Sequence, residues 1–456
     1  ILSGLVGSEM CIRDRPQLTR PDFEIRSLGS ARHRSPLAAQ RDEAEAGFVT
    51  DDRHRVLFDH SLERVVTSLE QGAAPLTIER SGPRERLFFD PKKTTCAVVT
   101  CGGLCPGIND VIRGIVMTLN YSYGVTAIYG IPYGFEGFVD RYGHTVSHLT
   151  PASVSDIHTQ GGSFLGTSRG PQSRQEIVDK LVELGVDILF VIGGDGTLRG
   201  AQQIVTEVTD RNLPISVIGI PKTIDNDLEF TDKSFGFETA FAEAVRAIRS
   251  AHNEARGHAN GIGIVKLMGR DSGFISAFAA IADNCVNYVL IPESPFCLDG
   301  ENGLLASLER RLSGRGHVVI VVAEGAGQHL LPSEGGSKDA SGNVKLGDIG
   351  LFLRERIEEH FKSLGRKINL KYIDPSYVIR SVPASPQDAI YCLRLAQHAV
   401  HAGMAGKTDM VVGRWHGHHV NLPIGVVTVR RRKLSLQGDL WLSVLEATGQ
   451  PARFGP

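Results

Sequence analysis

No apolar run in this 456-residue chain approaches the roughly 18–20 residues that a membrane-spanning helix requires, so nothing in it reads as one. Net charge is nearly absent as well. Lys and Arg (49) almost balance Asp and Glu (51), leaving a formal -2, so no bulk basic field points to nucleic acid or a membrane surface. Cysteine is sparse: seven, an odd number for this length, do not make a disulfide framework and favour a reducing compartment. Cys101 and Cys105 have no second Cys or His pair at finger spacing, so they read as small core residues. Internal repeats and long low-complexity tracts are missing, and so is the G-x-G-x-x-G spacing of a dinucleotide site, which weakens a hydride-transfer reading. What these absences leave is a soluble, intracellular chain of ordinary globular composition, long enough for two or three domains.

Two short polar stretches organise the rest. Gly193-Gly194-Asp195-Gly196-Thr197 follows the apolar run Ile188–Ile192, and Pro221-Lys222-Thr223-Ile224-Asp225-Asn226-Asp227 follows Ile215–Ile220. Short runs rich in β-branched residues and closed by Gly or Pro read as buried strands of a parallel sheet, and ligands of such sheets lie beyond the carboxyl ends of the strands. Consecutive glycines let backbone N–H groups approach phosphate oxygens, and Asp195 beside them is a candidate Mg²⁺ ligand. The second stretch supplies two carboxylates, Asp225 and Asp227, and the Thr223 hydroxyl. A carboxylate near a phosphate acceptor can take its hydroxyl proton during transfer.

Residues 1–15 lack a starting Met, fit nothing downstream and read as translated adaptor sequence, left outside the fold reasoning; the natural N-terminus, and with it organellar import, stays open. Residues 16–90 read as an N-terminal extension with one short helix, wrapped over the body. The core opens with the strand Cys96–Thr100, the turn Cys101–Asn109 containing Gly102 and Gly103, and a helix from Asp110, an arrangement that binds phosphate at the helix N-terminus. A strand over 125–129 follows, then the loop 161–170, where Arg169 beside Gly170 is a candidate phosphate clamp. Ser173-x-x-Glu176 is a capping box opening a helix. A long helix over 238–256, strands at 261–267, 286–291 and 317–323, a Gly/Ser/Asp-rich loop at 333–348 and helices over 351–364 and from 388 to about 403 complete the core. Arg270 at a strand end and Arg380 beside Tyr377 are further cations placed to grip an anion. Trp415-His416-Gly417-His418-His419 reads as a polar turn between strands.

The motifs CGGLCPGIND, GGSFLGTSRG, FVIGGDGT, PKTIDND, GIGIVKLMGRDSG, IPESPF, VVAEGAGQ and YIDPSYVIR, in that order, resemble the 6-phosphofructokinase family, most closely its plant-type and kinetoplastid-type ATP-dependent branch. The resemblance runs from about Gly82 to Ile424. It implies an α/β fold of two doubly wound three-layer domains with mostly parallel sheets: a nucleotide-binding domain over 91–257, a sugar-phosphate-binding domain over 258–403, and a segment 404–456 packing back on the body. It implies phosphorylation of the 1-hydroxyl of fructose 6-phosphate by Mg·ATP in glycolysis, in a cytoplasmic, allosteric homo-oligomer, often a tetramer. Position by position, Gly102, Gly103, Arg169, Gly170, Gly194, Gly196 and Thr197 would line the nucleotide phosphates, and Asp195 would hold Mg²⁺. Asp225 would be the base, with Thr223, Asp227 and Arg270 completing the catalytic set. Thr223, Ile224, Asp225, Met268, Gly269, Arg270, Glu324, Tyr377 and Arg380 would bind the sugar phosphate, with Lys371. The donor turns on Gly196 and Lys222: pyrophosphate-dependent members carry Lys at the second position but Asp at the first. Gly196 leaves room for the α-phosphate of ATP, so ATP is the implied donor and pyrophosphate the alternative. Bacterial members place an Arg, donated across a subunit interface, near what is here Asn260-Gly261; this chain has none there. A catalytically silent sensing subunit is the reading from another class, and the presence of Asp195, Asp225 and Arg270 argues against it.

Overall fold

The computed structural model describes residues 19–38, 49–332 and 344–455; residues 1–15 and most of the loop at 333–348 lie outside them. Among the described residues two large sheets form the body, beside two short two-stranded pairings. The larger has nine strands, in the spatial order 55–57, 77–80, 418–423, 410–415, 216–221, 188–193, 95–100, 127–131 and 147–148. The five from 410–415 to 127–131 in that order are parallel, and the strands flanking them are antiparallel.

The strand Ile188–Gly193 is buried along its whole length because side chains alternate between two cores. Ile188, Phe190 and Ile192 pack with the helices Ile108–Thr118 and Pro386–Met404 on one face. Leu189 and Val191 pack with Arg174–Glu183 and Asp195–Asp210 on the other. The smaller sheet, ordered 288–290, 317–323, 261–267 and 369–373, is parallel throughout. It is covered in the same way: Val265 and Leu267 face the core containing Phe237–Arg256 and Phe274–Ala282, while Ile262 and Ile264 face Leu304–Arg315 and Ile349–Ser363. The fold is therefore α/β, each parallel sheet sandwiched between helices.

Local signals behave as the residues dictate. Ser173 caps Arg174–Glu183 by accepting from the Glu176 N–H. The histidine turn is a two-residue hairpin connection between Met410–Trp415 and His418–Pro423, with positive φ at both His416 (48°) and Gly417 (81°), the backbone that suits the twist of a hairpin. The strand expected over 125–129 starts later, at Ala127. Gly124 (φ 74°) is still closing the preceding helical segment and the Val125 N–H donates to the Leu119 carbonyl, so those residues are committed to the turn. The segment before residue 90 does more than wrap: Arg55–Leu57 and Thr77–Arg80 are strands of the large sheet, and Arg26–Ser27 pairs with Lys407–Thr408. Buried Glu79 accepts from Arg84 (2.9 Å), Lys407 (3.3 Å) and Asn421 (2.8 Å), joining this segment to the end of the chain.

Candidate active site

The two polar stretches begin side by side. Strands Ile188–Gly193 and Ser216–Pro221 pair residue for residue up to Gly193 opposite Pro221, and the Lys222 N–H then donates to the Gly193 carbonyl. The neighbouring strand Thr95–Thr100 brings the Gly102-Gly103 turn alongside. Together these ends wall a cleft of about 660 Å³.

On one side the wall is backbone. Gly194 precedes the helix Asp195–Asp210, so the N–H groups of its first turn point into the cleft without intrahelical partners and favour an anion. A Cβ at Gly193 would come within 2.3 Å of Thr197, so only glycine lets the turn close; at Gly196 it would meet no atom within 4 Å, because that position opens into the cleft. The Gly102 turn is tied to the 161–170 loop by the Gly102 N–H on the Ser168 carbonyl (3.0 Å) and the Thr167 hydroxyl on the Gly102 carbonyl (2.7 Å), which sets Arg169 at the rim. Lys222 is buried beneath, its Nζ donating to the Gly103 carbonyl at 2.7 Å, and burial holds its ammonium below the usual lysine range.

The opposite wall is charged. Asp225 receives the Arg270 N–H on Oδ2 at 3.5 Å, while its buried Oδ1 has no hydrogen-bond partner. Burial, then the Asp227 and Glu324 carboxylates, push its carboxyl up to about 7, against the pull of Arg380. Asp227 is also raised by burial, opposed by the Thr223 hydroxyl, which donates to Oδ1 at 2.5 Å, and by Arg431, 3.6 Å from Oδ2. Asn226 between them takes φ 57°, and its side chain accepts from the Ser234 N–H at 2.9 Å, which pins the turn that aims both carboxylates. Arg380 enters from the helix Ser376–Ser381 with Nε 3.2 Å from the Met268 sulfur.

Of the residues singled out in the sequence, Gly102, Gly103, Arg169, Gly170, Gly194, Asp195, Gly196, Thr197, Lys222, Thr223, Ile224, Asp225, Asp227 and Arg380 line this one cleft. Met268, Gly269, Arg270 and Glu324 are not in that lining; they follow the adjacent strands Gly261–Leu267 and His317–Ala323 just behind Asp225, with the Glu324 N–H on the Leu267 carbonyl. Lys371 and Tyr377 lie outside the cleft lining: Lys371 is an exposed residue of the edge strand Asn369–Ile373, and Tyr377 is 82% exposed. Among the described residues, no three His, Cys, Asp or Glu side chains converge on a metal-sized space. A divalent ion held by one carboxylate, waters and substrate phosphates needs no such cage, and Asp195, at the helix start on the cleft wall, suits that mode.

A family model described as Phosphofructokinase matches residues 95–403, the span that supplies every residue of the cleft lining except Arg431. The chain belongs to the phosphofructokinase family. It is 49% identical over 442 residues to "ATP-dependent 6-phosphofructokinase" of Amycolatopsis methanolica, covering 95% of this chain and 96% of that protein. It is 42% identical over 435 residues to the protein of the same name from Trypanosoma cruzi strain CL Brener, covering 95% of this chain and 88% of that one. The crystal structure of a pyrophosphate-dependent phosphofructokinase from Marinobacter aquaeolei superposes with a TM-score of 0.63 at 20% identity, over 80% of this chain and 93% of that one, which establishes the shared fold.

The cleft also has lining residues that were not among the candidates, Arg174, Arg199 and Arg431 being the charged ones. Arg431 lines the cleft from the segment beyond the last strand. Its only sequence signal is the run Arg430-Arg431-Arg432-Lys433, which by itself reads as a solvated charge cluster.

Proposed function

We propose that the protein transfers the terminal phosphoryl group of ATP to the 1-hydroxyl of fructose 6-phosphate, giving fructose 1,6-bisphosphate, with Asp225 as the base. One observation carries this reading: the Asp225 Oδ1 is buried without a hydrogen-bond donor at the meeting point of an anion-binding helix start and a cationic loop. Buried acceptors are nearly always satisfied, and an incoming hydroxyl would satisfy this one while presenting its proton to the carboxylate. Gly102, Gly103, Gly194, Gly196, Thr197, Arg169 and Gly170 would bind the donor phosphates through backbone N–H groups and one guanidinium. Mg²⁺, when bound through Asp195, would offset charge on the phosphate oxygens. Arg270, Arg380 and Glu324, with Met268 and Gly269, would orient the sugar phosphate. Phosphoryl transfer needs mainly such alignment and charge stabilisation.

ATP is the donor this reading favours. Gly196 leaves open cleft where a carboxylate would face the nucleotide, and Lys222 directs its nitrogen to the Gly103 carbonyl, in support of the turn. A cytoplasmic homotetramer belongs to the same reading and is checked by light scattering on purified protein and by fractionation. The deciding experiment supplies fructose 6-phosphate and Mg²⁺ with ATP in one assay and pyrophosphate in the other. Turnover with ATP alone supports the proposal. Turnover with pyrophosphate alone overturns the choice of donor, and turnover with neither overturns the catalytic reading in favour of a sensing subunit.

A further inference from the structure

After the strand His418–Pro423 and the short helix Ile424–Val427, the chain returns across the loop that carries the base. Leu228 and Arg431 form an isolated antiparallel bridge, and the Arg432 N–H donates to the Asp227 carbonyl at 2.7 Å. Arg430 pairs with Glu229 (2.9 Å), while Arg432 donates to the Thr231 and Asp232 carbonyls (3.0 and 3.1 Å) and lies 4.9 Å over the Phe274 ring. These contacts sew the strip down. Arg431 alone of the three arginines lines the cleft. Its Nη1 donates to Asp271 Oδ2 and sits 3.6 Å from Asp227 Oδ2, with the side chain 28% exposed.

The two carboxylates belong to different halves of the site. Asp227 follows the large-sheet strand Ser216–Pro221, and Asp271 follows the small-sheet strand Gly261–Leu267. One planar guanidinium therefore ties the loop of the base to the loop of Met268–Arg270. A guanidinium has donors enough for two carboxylates at once, which an ammonium matches only as a point charge.

We propose that Arg431 is a positioning residue for the transfer step: by bridging Asp227 and Asp271 it holds the base loop and the sugar loop at their working separation. The proposal rests on the phosphotransferase reading above. A misplacement of about 1 Å in a bimolecular site costs on the order of 10²-fold in rate, so loss of the bridge should appear mainly in kcat.

The test compares Arg431→Met, Arg431→Lys, Asp271→Asn, the Arg431→Met/Asp271→Asn double variant and Arg430→Met, all in the full chain. Arg431→Met is expected to lower kcat about 10²-fold while leaving KM for ATP within about twofold, and Arg431→Lys to recover about tenfold of that loss. The double variant should be no slower than the slower single variant, because both remove one bridge. Arg430→Met, on the same strip but paired with Glu229, should keep kcat within about twofold. An Arg431→Met enzyme with unchanged kcat, a double variant whose losses multiply, or an Arg430→Met enzyme that falls equally would each overturn the proposal. A wild-type enzyme without turnover would overturn the parent reading and this one with it; an active wild type indifferent to Arg431→Met overturns this one alone.

Discussion

The two walls of the cleft are made by opposite means. The donor wall is glycine and backbone: a helix start, an open position at Gly196 and a turn held by main-chain bonds. The acceptor wall is carboxylate and guanidinium: Asp225 with an unsatisfied buried oxygen, Asp227 beside it, and Arg380 and Arg431 set against them. Backbone donors are fixed by the strands and helix they terminate, so the donor wall is compatible with stability. Buried carboxylates are held ready for chemistry against their own solvation, so the acceptor wall carries a stability cost. Substitutions on the acceptor wall should act on turnover, and those on the donor wall on nucleotide binding.

The largest effect should come from Asp225→Ser. Loss of a positioned base typically removes 10²–10⁴ of rate, so kcat should fall on the order of 10³-fold while ATP binding, measured by calorimetry, stays within about twofold. A variant that lost ATP binding but kept turnover would break the division between the walls. Gly196→Asp comes next. It places a carboxylate in the open position facing the nucleotide, and like-charge apposition costs several kcal/mol, discounted here for solvent, so KM for ATP should rise by about 10²-fold. Undiminished ATP turnover in that variant would remove the argument for the donor. Lys222→Met should act more weakly: it removes one charge-assisted bond to the Gly103 carbonyl, worth about 1.5–3 kcal/mol, and should raise KM for ATP roughly tenfold with a smaller change in kcat. A fall in kcat alone would instead place Lys222 with the acceptor wall.

The same contrast explains what the sequence made legible. The donor wall is written locally, since a β-branched run, glycines and an acidic residue occur within ten positions at Ile188–Thr197. The base loop is local too, through the closing Pro221 and the paired carboxylates. Long-range partners are not written this way. Lys222 reaches a carbonyl 119 residues away, and Arg431 a carboxylate 160 residues away, and neither spacing has a period that a pattern could reveal. Lys371 and Tyr377 show the converse: a plausible neighbourhood in sequence, with exposed side chains outside the cleft lining. The strands at 55–57 and 77–80 are too short to alternate visibly, and only pairing to the sheet edge makes them strands.

The smallest predicted effect concerns stability and has the opposite sign. The Asp225 carboxyl titrates near 7 in the folded chain, against an ordinary value of 3.8. Below the ordinary value both folded and unfolded states hold the proton, and the group contributes nothing to the pH dependence. As pH rises from there, the unfolded chain ionises while the folded one keeps its proton, so stability falls until the folded group also ionises near 7, and the cost is constant above that. Asp225→Asn removes the charge and can keep an acceptor on the Arg270 N–H. The variant, inactive as an enzyme, should therefore melt higher than wild type by several degrees at pH 8, with less than half of that gain at pH 5. A gain equal at both pH values would trace the effect to packing. A loss at pH 8 would mean that the cations of this wall, Arg380 and Arg431 foremost, repay the burial of the carboxylate in full, and the contrast between the walls would then lie in chemistry alone.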